Sequence, residues 1–582
     1  MKEQAVLLAD SGTSTQNDRA AEVLRFFGVS SRVLSSVDFL APKPIESADS
    51  SKARLICSSD TLLKLVEDAK RHPEGARWWQ ECVHSAFVYA GDSSGILQKL
   101  VRRITSDEHA SLIQLEDGND EWVVSNTLPQ LCGAMSGVRV PIAKTDNTAL
   151  VFDGSKGDVL HVISAGQKPA FIKSDYQRVP IFLSTAADII DLNSELTERN
   201  FDIRNHFLSA LPIVLYVKWA FAETCWQAPE INACVVIDDP LLKPQYGFLN
   251  YRGLLALMDR HNFSTNIAFI PWNWRRSSSK AVRLFKENPE RYSLSVHGCD
   301  HTGGEFGTRD MNVLAWKAGQ AMERMSRHES RTGIRHDRVM VFPQGVFSEP
   351  ALGVLKQTHF TAAVNTEVIS SDPHPSRVTI SDVWDIAVTK YGSFAIFTRR
   401  YPTQGIENFA FDILLGKPCL VVIHHDFCRD KCARLVEFIK SLNALNCQLS
   451  WRSLGEVVRR SCRQRELSPG AVETEMYGSE LRVENQSAQR KRFCIRKCEA
   501  DPSAIQEIRT ESLPVGWNSS NGHIDFEIDV NSGQNATISI EFRNQFGKVR
   551  SPENVRYKLK TMLRRYLSEA RDNYVMRIAP LN

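Results

Sequence analysis

The sequence predicts an α/β protein whose middle third folds as a (β/α) barrel, and three observations support this. Seven strand-like runs follow one another between about residues 231 and 460: "ACVVI", "TNIAFI", "YSLSVHG", "RVMVF", "TAAVN", "SFAIF" and "LVVIH". Helix-like segments such as "YRGLLALMDRH" and "NVLAWKAGQAMERMSRH" separate most of these runs. Acidic residues and histidines stand where the first, third and seventh runs end, which is where a parallel barrel carries its active site.

Different patterns flank the barrel on each side. Residues 1–200 begin with runs such as "AVLLAD" and "ARLICSS", each followed by an amphipathic stretch, and continue as closely spaced short strands. This alternation is typical of a parallel α/β sheet with a β-rich extension. We assign residues 201–465 to the barrel domain. Residues 466–582 contain alternating runs such as "HIDFEIDV" and "ATISIEFRN", which predict a β-sandwich-like domain.

A basic helix, "VRYKLKTMLRRYLSEARDNYV", closes the chain. Four apolar residues recur at helical spacing and form a stripe along it: Val555, Leu559, Leu563 and Tyr566. We therefore expect the helix to pack through this stripe and to leave its basic face in solvent.

Composition excludes several classes of protein. The chain of 582 residues is too long for one hydrophobic core. Its 42% hydrophobic and 24% charged residues are typical of a globular protein. A net charge of +3 gives no argument for nucleic-acid binding. The segment "FLSALPIVLYVKWAFAE" contains Pro212 and Lys218, so a buried helix is favoured over a membrane span. The start of the chain lacks signal-peptide features, and the 13 cysteines are scattered, so a cytoplasmic protein is expected.

Two adjacent carboxylates, Asp238 and Asp239, end the first run, and His297 ends the third, which continues as "HGCDH" to His301. An isolated pair of aspartates is explained by a turn and a helix cap. Two imidazoles and one carboxylate, however, form the open three-ligand set of a catalytic zinc or similar divalent ion. An ion on Asp239 would also relieve the repulsion between the carboxylates and leave Asp238 free to act as a base.

The order of "IDDP", "HGCDH", "FPQG" and "VVIHHD" resembles the polysaccharide deacetylase family, the NodB-homology enzymes of carbohydrate esterase family four. The resemblance covers the middle block only. It implies a distorted (β/α) barrel, commonly of seven strands, and removal of N- or O-acetyl groups from sugars with the help of a divalent metal. By position it makes Asp238 the base and His425 the general acid. Since side chains alternate along a strand, His424 is then expected to face away from the barrel mouth.

The proline loop departs from the family pattern. Val341 stands two residues before Pro343, where the family has an arginine that braces the catalytic aspartate, and Gln344 replaces the usual tyrosine. We expect the backbone N–H of Gln344, beside Pro343, to stabilise an oxyanion.

Two tryptophans, Trp272 and Trp274, lie in the loop "PWNWRR" after the second strand. Their rings could stack on a sugar face, although ordinary packing also explains two indoles at a strand end.

The sequence therefore predicts a metal-dependent deacetylase, with zinc as the expected ion, acting on a carbohydrate-like or other N-acyl substrate. An amide hydrolase of a small molecule or peptide is one alternative. A non-catalytic carbohydrate-binding protein that keeps the metal site is another. The presence of Asp238 and His425 favours an enzyme, because binding alone requires neither a base nor an acid.

Overall fold

The structure is a computed structural model that describes most of the chain. The described residues are 4–9, 15–40, 52–71, 75–91, 93–115, 120–143, 149–154, 159–511, 513–547 and 555–575. The chain divides into two compact units: Met1–Ser194 with Asp202–Trp226, and Glu195–Phe201 with Gln227–Asn582.

The first unit is an α/β domain. Its strands are β1 (Gln4–Leu8), β2 (Ser30–Leu34), β3 (Ala53–Ser58), β4 (Val83–Tyr89), β5 (Ser111–Gln114), β6 (Glu121–Val124), β7 (Arg139–Pro141), β8 (Leu150–Asp153), β9 (Leu160–Ala165), β10 (Lys168–Tyr176) and β11 (Val179–Ser184). Its helices are α1 (Thr15–Phe26), α2 (Ser36–Leu40), α3 (Ser59–Arg71), α4 (Gly75–Cys82), α5 (Ser94–Thr105), α6 (Pro129–Cys132) and α7 (Phe207–Ala220).

A nine-stranded sheet in the order β2-β1-β3-β4-β11-β10-β9-β6-β7 forms the centre of this unit. The pairs from β2 to β11 are parallel, and the remaining pairs are antiparallel. The predicted α/β domain with a β-rich extension is confirmed.

The apolar helix α7 belongs to this first unit, although the predicted boundaries place it in the barrel domain. It is buried along most of its length, as predicted, and its Tyr216 hydroxyl donates to the Leu55 carbonyl at 3.1 Å. Among the described residues, no helix combines the length and apolarity that crossing a bilayer requires.

The second unit opens with the barrel. Its strands are β12 (Ile231–Asp238), β13 (Gln245–Tyr246), β14 (Leu249–Asn250), β15 (Thr265–Phe269), β16 (Tyr292–His297), β17 (Val339–Val341), β18 (Ala362–Asn365), β19 (Ile396–Thr398), β20 (Cys419–Ile423) and β21 (Leu449–Trp451). Its helices are α8 (Tyr251–His261), α9 (Ser279–Glu287), α10 (Met311–Thr332), α11 (Glu349–Gln357), α12 (Ile380–Trp384), α13 (Ile406–Leu415), α14 (Ala433–Asn443) and α15 (Leu454–Arg460).

Seven parallel strands curl into the predicted barrel in the order β19-β18-β17-β16-β15-β12-β20. Arg400, just beyond β19, brings the two ends of the sheet together. Its N–H donates to the Leu420 carbonyl at 2.9 Å, and its own carbonyl accepts from the Val422 N–H at 2.9 Å. The carboxyl ends of all seven strands therefore meet at one mouth.

The β-sandwich-like domain follows the barrel. Its strands are β22 (Arg463–Ser468), β23 (Ala471–Met476), β24 (Glu480–Glu484), β25 (Lys491–Cys498), β26 (Ile505–Thr510), β27 (Trp517–Ser520), β28 (His523–Val530) and β29 (Asn535–Phe542). Sheets of five strands (β22-β23-β25-β28-β27) and three strands (β24-β29-β26) enclose an apolar core that includes Phe493, Ile524 and Ile538. The alternating sequence pattern of these strands thus predicted the sandwich correctly.

The terminal helix α16 (Val555–Ala570), which continues as a π-helical turn (Arg571–Val575), reverses the predicted orientation. The apolar stripe faces outward: Val555 is 75% exposed, Leu559 55% and Leu563 60%. The polar side is the buried one, because Thr561 and Arg565 pack inward. The prediction that the helix packs through its stripe is wrong, since the barrel mouth that it covers is polar.

A buried carboxyl group beside β17 gives a prediction about pH. Burial raises the pKa of Asp337 to about 6, against lowering contributions from the Gly455 backbone and Arg459, and its Oδ2 has no partner among the described residues. Between about pH 4 and 6 the folded protein holds a proton that the unfolded chain has released, so this group makes stability fall as pH rises. The difference of roughly two pKa units amounts to about 3 kcal/mol.

We therefore expect Asp337→Asn to make the free energy of unfolding less dependent on pH between about pH 4.5 and 6.5. Chemical denaturation of both proteins across this range measures the effect. Identical pH dependence in the two proteins would show that Asp337 ionises normally.

Candidate metal centre and active site

The three predicted metal ligands lie together at the barrel mouth. Asp239 directly follows β12 and turns there with a φ of 80°, and His297 is the last residue of β16. The Nε2 atoms of His297 and His301 lie 3.3 and 3.0 Å from Asp239 Oδ1. One ligand atom from each residue can be chosen so that all three lie within 4.8 Å of one another. These distances between the ligand atoms would allow all three residues to bind the same ion.

The chemistry of these donors fits a divalent cation. His297 Nδ1 lies 3.0 Å from the Val341 carbonyl, which orients the ring and leaves Nε2 facing the site. Although burial raises the pKa of Asp239, the contacts with His301 and His297 hold it well below its usual value. The charges of Asp238 and Asp239 raise the pKa of His297 in spite of its burial. The cluster therefore attracts positive charge, and two imidazoles with one carboxylate form the open set of a zinc-type site.

A carboxylate that the sequence analysis missed positions the loop carrying His301. Glu305 accepts hydrogen bonds from the backbone N–H groups of Cys299 at 2.7 Å and His301 at 3.0 Å. A side chain at Gly298, which has a φ of 61°, would lie 2.2 Å from Glu305 Oε1. The sequence continues from His297 as "HGCDHTGGEF", in which Glu305 follows His301 by four residues. This short spacing was the sequence signal for a carboxylate that can reach the backbone of the same loop.

Arg399, which directly follows the sixth barrel strand, forms a buried ion pair with Asp238. Its Nη1 and Nη2 donate to the two carboxylate oxygens of Asp238, each at 2.7 Å, and both side chains are at least 95% buried. Burial alone would raise the pKa of Asp238, but the charges of Arg399 and His297 lower it below its usual value. Asp238 is therefore a carboxylate at neutral pH. The sequence signal for this ion pair was the strand end "FTRR", because an arginine at the carboxyl end of a barrel strand lies at the mouth.

The register of β20 places His424 beside Asp238. Ile237 of β12 pairs with Ile423, so His424, whose backbone remains extended, lies beside Asp238 on the interior face. The charge of His424 contributes to lowering the pKa of Asp238, as expected for neighbours. The prediction that His424 faces away from the mouth is therefore wrong.

His425 points instead to the loop after β12. Its ring is 6% exposed, and a side chain at Gly247 would lie 2.4 Å from its Nδ1. Its Nε2 lies 3.6 Å from Asp572 Oδ1, an ion-pair distance. The pKa of Asp572 is lowered because contacts with His425, Tyr246 and Arg571 outweigh its burial. No role for His425 is tested by this arrangement, and its assignment as the acid remains a prediction.

Helix α16 and its terminal turn lie across the mouth. Tyr557 contacts the loop after β16, since its hydroxyl donates to Asp300 at 3.1 Å. Glu569 pairs with Lys243 and Arg276, which follow β12 and β15. The Asn573 side chain accepts from the Gly247 N–H at 2.9 Å. The helix therefore contacts loops from three barrel strands, in addition to its contact with His425 after β20.

The remaining predicted residues border the same mouth. Pro343 is buried beside the loop that carries His301, and Gln344 is exposed, with its side-chain oxygen accepting from the Gly304 N–H at 3.2 Å. The Trp272 ring meets Tyr566 of α16 edge-on at 6.5 Å, and the Trp274 ring lies under the guanidinium of Arg275 at 4.4 Å. The ring of Trp274 is thus already occupied by a cation, which favours the packing interpretation for that residue.

Comparison with known proteins gives likenesses in fold. No family model matches the sequence, and no curated protein matches it. A solved carbohydrate deacetylase named Agd3 is similar, with 8% identity, 93% of this chain and 98% of that chain covered, and a TM-score of 0.48. A putative polysaccharide deacetylase from Mycobacterium smegmatis matches 39% of this chain and 90% of its own, with 13% identity and a TM-score of 0.28.

A family 4 carbohydrate esterase from Streptomyces lividans also matches, with 11% identity, 37% of this chain and 86% of that chain covered, and a TM-score of 0.22. Deacetylases of carbohydrate esterase family four are thus among the structural neighbours of this chain. Most of these matches cover about 40% of the chain.

Proposed function

We propose that this protein is a metal-dependent deacetylase that hydrolyses an N-acyl group on a carbohydrate-like substrate. The observation that carries the proposal is the cluster of Asp239, His297 and His301 beside the buried pair of Asp238 and Arg399. A binding protein would need the cluster alone. A carboxylate held ionised next to the cluster supports hydrolysis, because only a reaction requires a base.

The three clustered residues would hold the ion, with zinc as the expected metal. Such an ion acts as a Lewis acid and lowers the pKa of water from 15.7 to about 7. Asp238 would accept the proton of the attacking water through a lone pair that Arg399 leaves free, since a carboxylate has about four acceptor positions. The backbone N–H of Gln344 would stabilise the oxyanion.

His424 is our candidate for the acid that protonates the leaving amine. It shares the interior face with Asp238 and is partly exposed at the mouth, whereas His425 is buried, with its Nε2 3.6 Å from Asp572 Oδ1. A group that transfers a proton must reach the leaving atom within about 3 Å. The sequence-based choice of His425 came from the family resemblance, which by position matches the histidine directly before Asp426.

The cover formed by α16 supports a small substrate or a single chain end rather than the middle of a polymer. Asp238 and His297 are 4% and 2% exposed, and the helix crosses the mouth above them. An open groove suits a polymer, whereas a closed pocket suits a small ligand. The alternative function, amide hydrolysis of a small molecule, uses the same residues and is favoured by the same observation.

Release of acetate from N-acetylated substrates by the zinc-loaded protein tests the proposal. We expect turnover of N-acetylated monosaccharides to exceed that of internal residues in long polymers. Absence of acetate release from sugars, together with hydrolysis of simple amides, would favour the alternative. Absence of all hydrolysis with the metal bound would favour a binding protein.

Paired alanine variants test the acid. His424→Ala should keep its metal and lower turnover by about 100-fold or more, with a smaller loss for substrates whose leaving group needs less protonation. His425→Ala should mainly lower the melting temperature, because it removes a buried ring. Measurement of kcat with two leaving groups separates these effects. The reverse pattern would restore His425 as the acid.

A further inference from the structure

The outer face of α16, which is the side turned away from the barrel mouth, carries a stripe of exposed apolar side chains. Its apolar side chains are Val555, Leu559, Met562, Leu563, Tyr566 and Leu567, and each is at least 42% exposed. Together with Tyr574 they are seven of the 13 large apolar side chains that are exposed in the described part of the chain. Scattered exposed apolar residues are normal, but a contiguous helical stripe marks a binding surface.

Positive charge borders this stripe. Arg556, Lys558, Lys560 and Arg564 are all exposed on the helix. At 100° per residue, Lys558 lies on one side of the stripe and Lys560 and Arg564 on the other, while Arg556 lies between Leu563 and Leu567. The acidic residues of the helix and its turn, Glu569 and Asp572, face inward, with side chains 13% and 4% exposed. The outer face therefore combines an apolar centre with a basic border and no exposed acid.

The inner contacts fix which side faces out. Tyr557 binds the loop after β16, Glu569 forms ion pairs with Lys243 and Arg276, and Asp572 accepts from the Tyr246 hydroxyl at 2.7 Å. Along the apolar side, Tyr566 contacts the Trp272 ring and the Arg276 guanidinium, whereas Leu559, Leu563 and Leu567 are each at least 55% exposed. A helix held in this way presents its stripe without needing to rotate or unfold.

We propose that the outer face of α16 binds the surface of a bilayer that contains anionic lipids. Such a helix lies in the plane of the interface, with leucines among the acyl chains and Lys and Arg beside the headgroups. The tyrosine within the stripe suits the same boundary, since its ring is apolar and its hydroxyl is polar. The barrel mouth would then lie directly beneath the membrane surface.

Charge favours lipid over a second copy of this chain. In a symmetric pair, the four basic residues of each helix would approach those of the partner with no exposed acid on either helix to offset them. An anionic lipid surface supplies both the negative charge and the apolar layer. Self-association and capture by an acidic protein are the competing outcomes of the test.

Co-sedimentation of the full-length protein with vesicles tests the proposal. We expect binding to vesicles of phosphatidylcholine with about 30% phosphatidylglycerol, little binding to pure phosphatidylcholine, and weaker binding at high salt. Replacing Leu559, Leu563 and Leu567 together by serine should lower the partition coefficient at least about tenfold, and so should Lys558→Glu combined with Lys560→Glu.

Matched controls separate the helix from general surface effects. Leu513→Ser removes an exposed leucine from the sandwich, and Lys280→Glu with Arg283→Glu reverses exposed charges on α9. Both controls should bind vesicles like the wild type. All variants should keep the wild-type melting temperature, because the replaced side chains are exposed.

Several results would overturn the proposal. One is binding to neutral vesicles that equals binding to anionic vesicles. Another is a loss of binding in the control variants as large as that in the α16 variants. A third is a much lower melting temperature of the leucine-to-serine variant, which would show that the stripe is packed in solution. Conversion of a dimer into a monomer by that variant would assign the surface to a second copy. Vesicle binding needs no substrate and no turnover, so failure of the proposed deacetylase function leaves this test unaffected.

Discussion

Replacement of Asp239 by alanine is expected to abolish both metal binding and hydrolysis. The residue supplies the only carboxylate of the described three-residue cluster, and its Oδ1 lies 3.0 to 3.3 Å from both imidazoles. Two histidines that remain hold a divalent ion far more weakly than three ligands do. Elemental analysis of the purified protein measures the metal, and acetate release measures the activity.

The control for this variant is Asp259→Ala, which removes an exposed carboxylate from α8. It should keep one divalent ion per chain and full activity. If Asp239→Ala also kept a full complement of metal, the ion would have to bind elsewhere and the assignment of the cluster would be wrong.

Asp238→Asn is expected to keep the metal but to lower kcat by about 100-fold or more, the usual contribution of a positioned base. Asparagine keeps the shape and one acceptor for Arg399 but has no basic oxygen. Because Arg399 is left without its full buried partner, the free energy of unfolding should also fall. Steady-state kinetics, metal analysis and thermal unfolding together measure the three effects.

A second buried pair offers a matched control. Arg400, the next residue in the chain, donates to the two oxygens of Asp412 at 2.7 and 3.1 Å. Asp412→Asn should therefore lower stability in a similar way while leaving kcat nearly unchanged. Loss of the metal in Asp238→Asn would show that the roles of the two adjacent aspartates are exchanged.

Patterns in the sequence were sufficient to predict the architecture and the grouping of Asp239, His297 and His301. The alternation of strand-like and helix-like segments from "ACVVI" to "LVVIH" predicted seven parallel strands, because each run had the length and apolar character of a buried strand. Since parallel strands end at one mouth, Asp239, His297 and His301 could be placed together from sequence positions alone.

The groups that surround these three residues could not be predicted in the same way. Arg399 reaches Asp238 from across the barrel, and the direction of a side chain across a barrel depends on strand register, which local patterns do not contain. The same register put His424, rather than His425, beside Asp238.

The terminal helix shows the limit of the sequence most clearly. An apolar stripe predicts that a helix packs through it, because burial of apolar surface is the main driving force of folding. In α16, the surface available for packing was a mouth of charged and hydrogen-bonding groups, and the polar side of the helix satisfied them through Tyr557, Glu569 and Asp572. The sequence determined that the helix has two faces, and the polarity of the surface it met decided which one was buried.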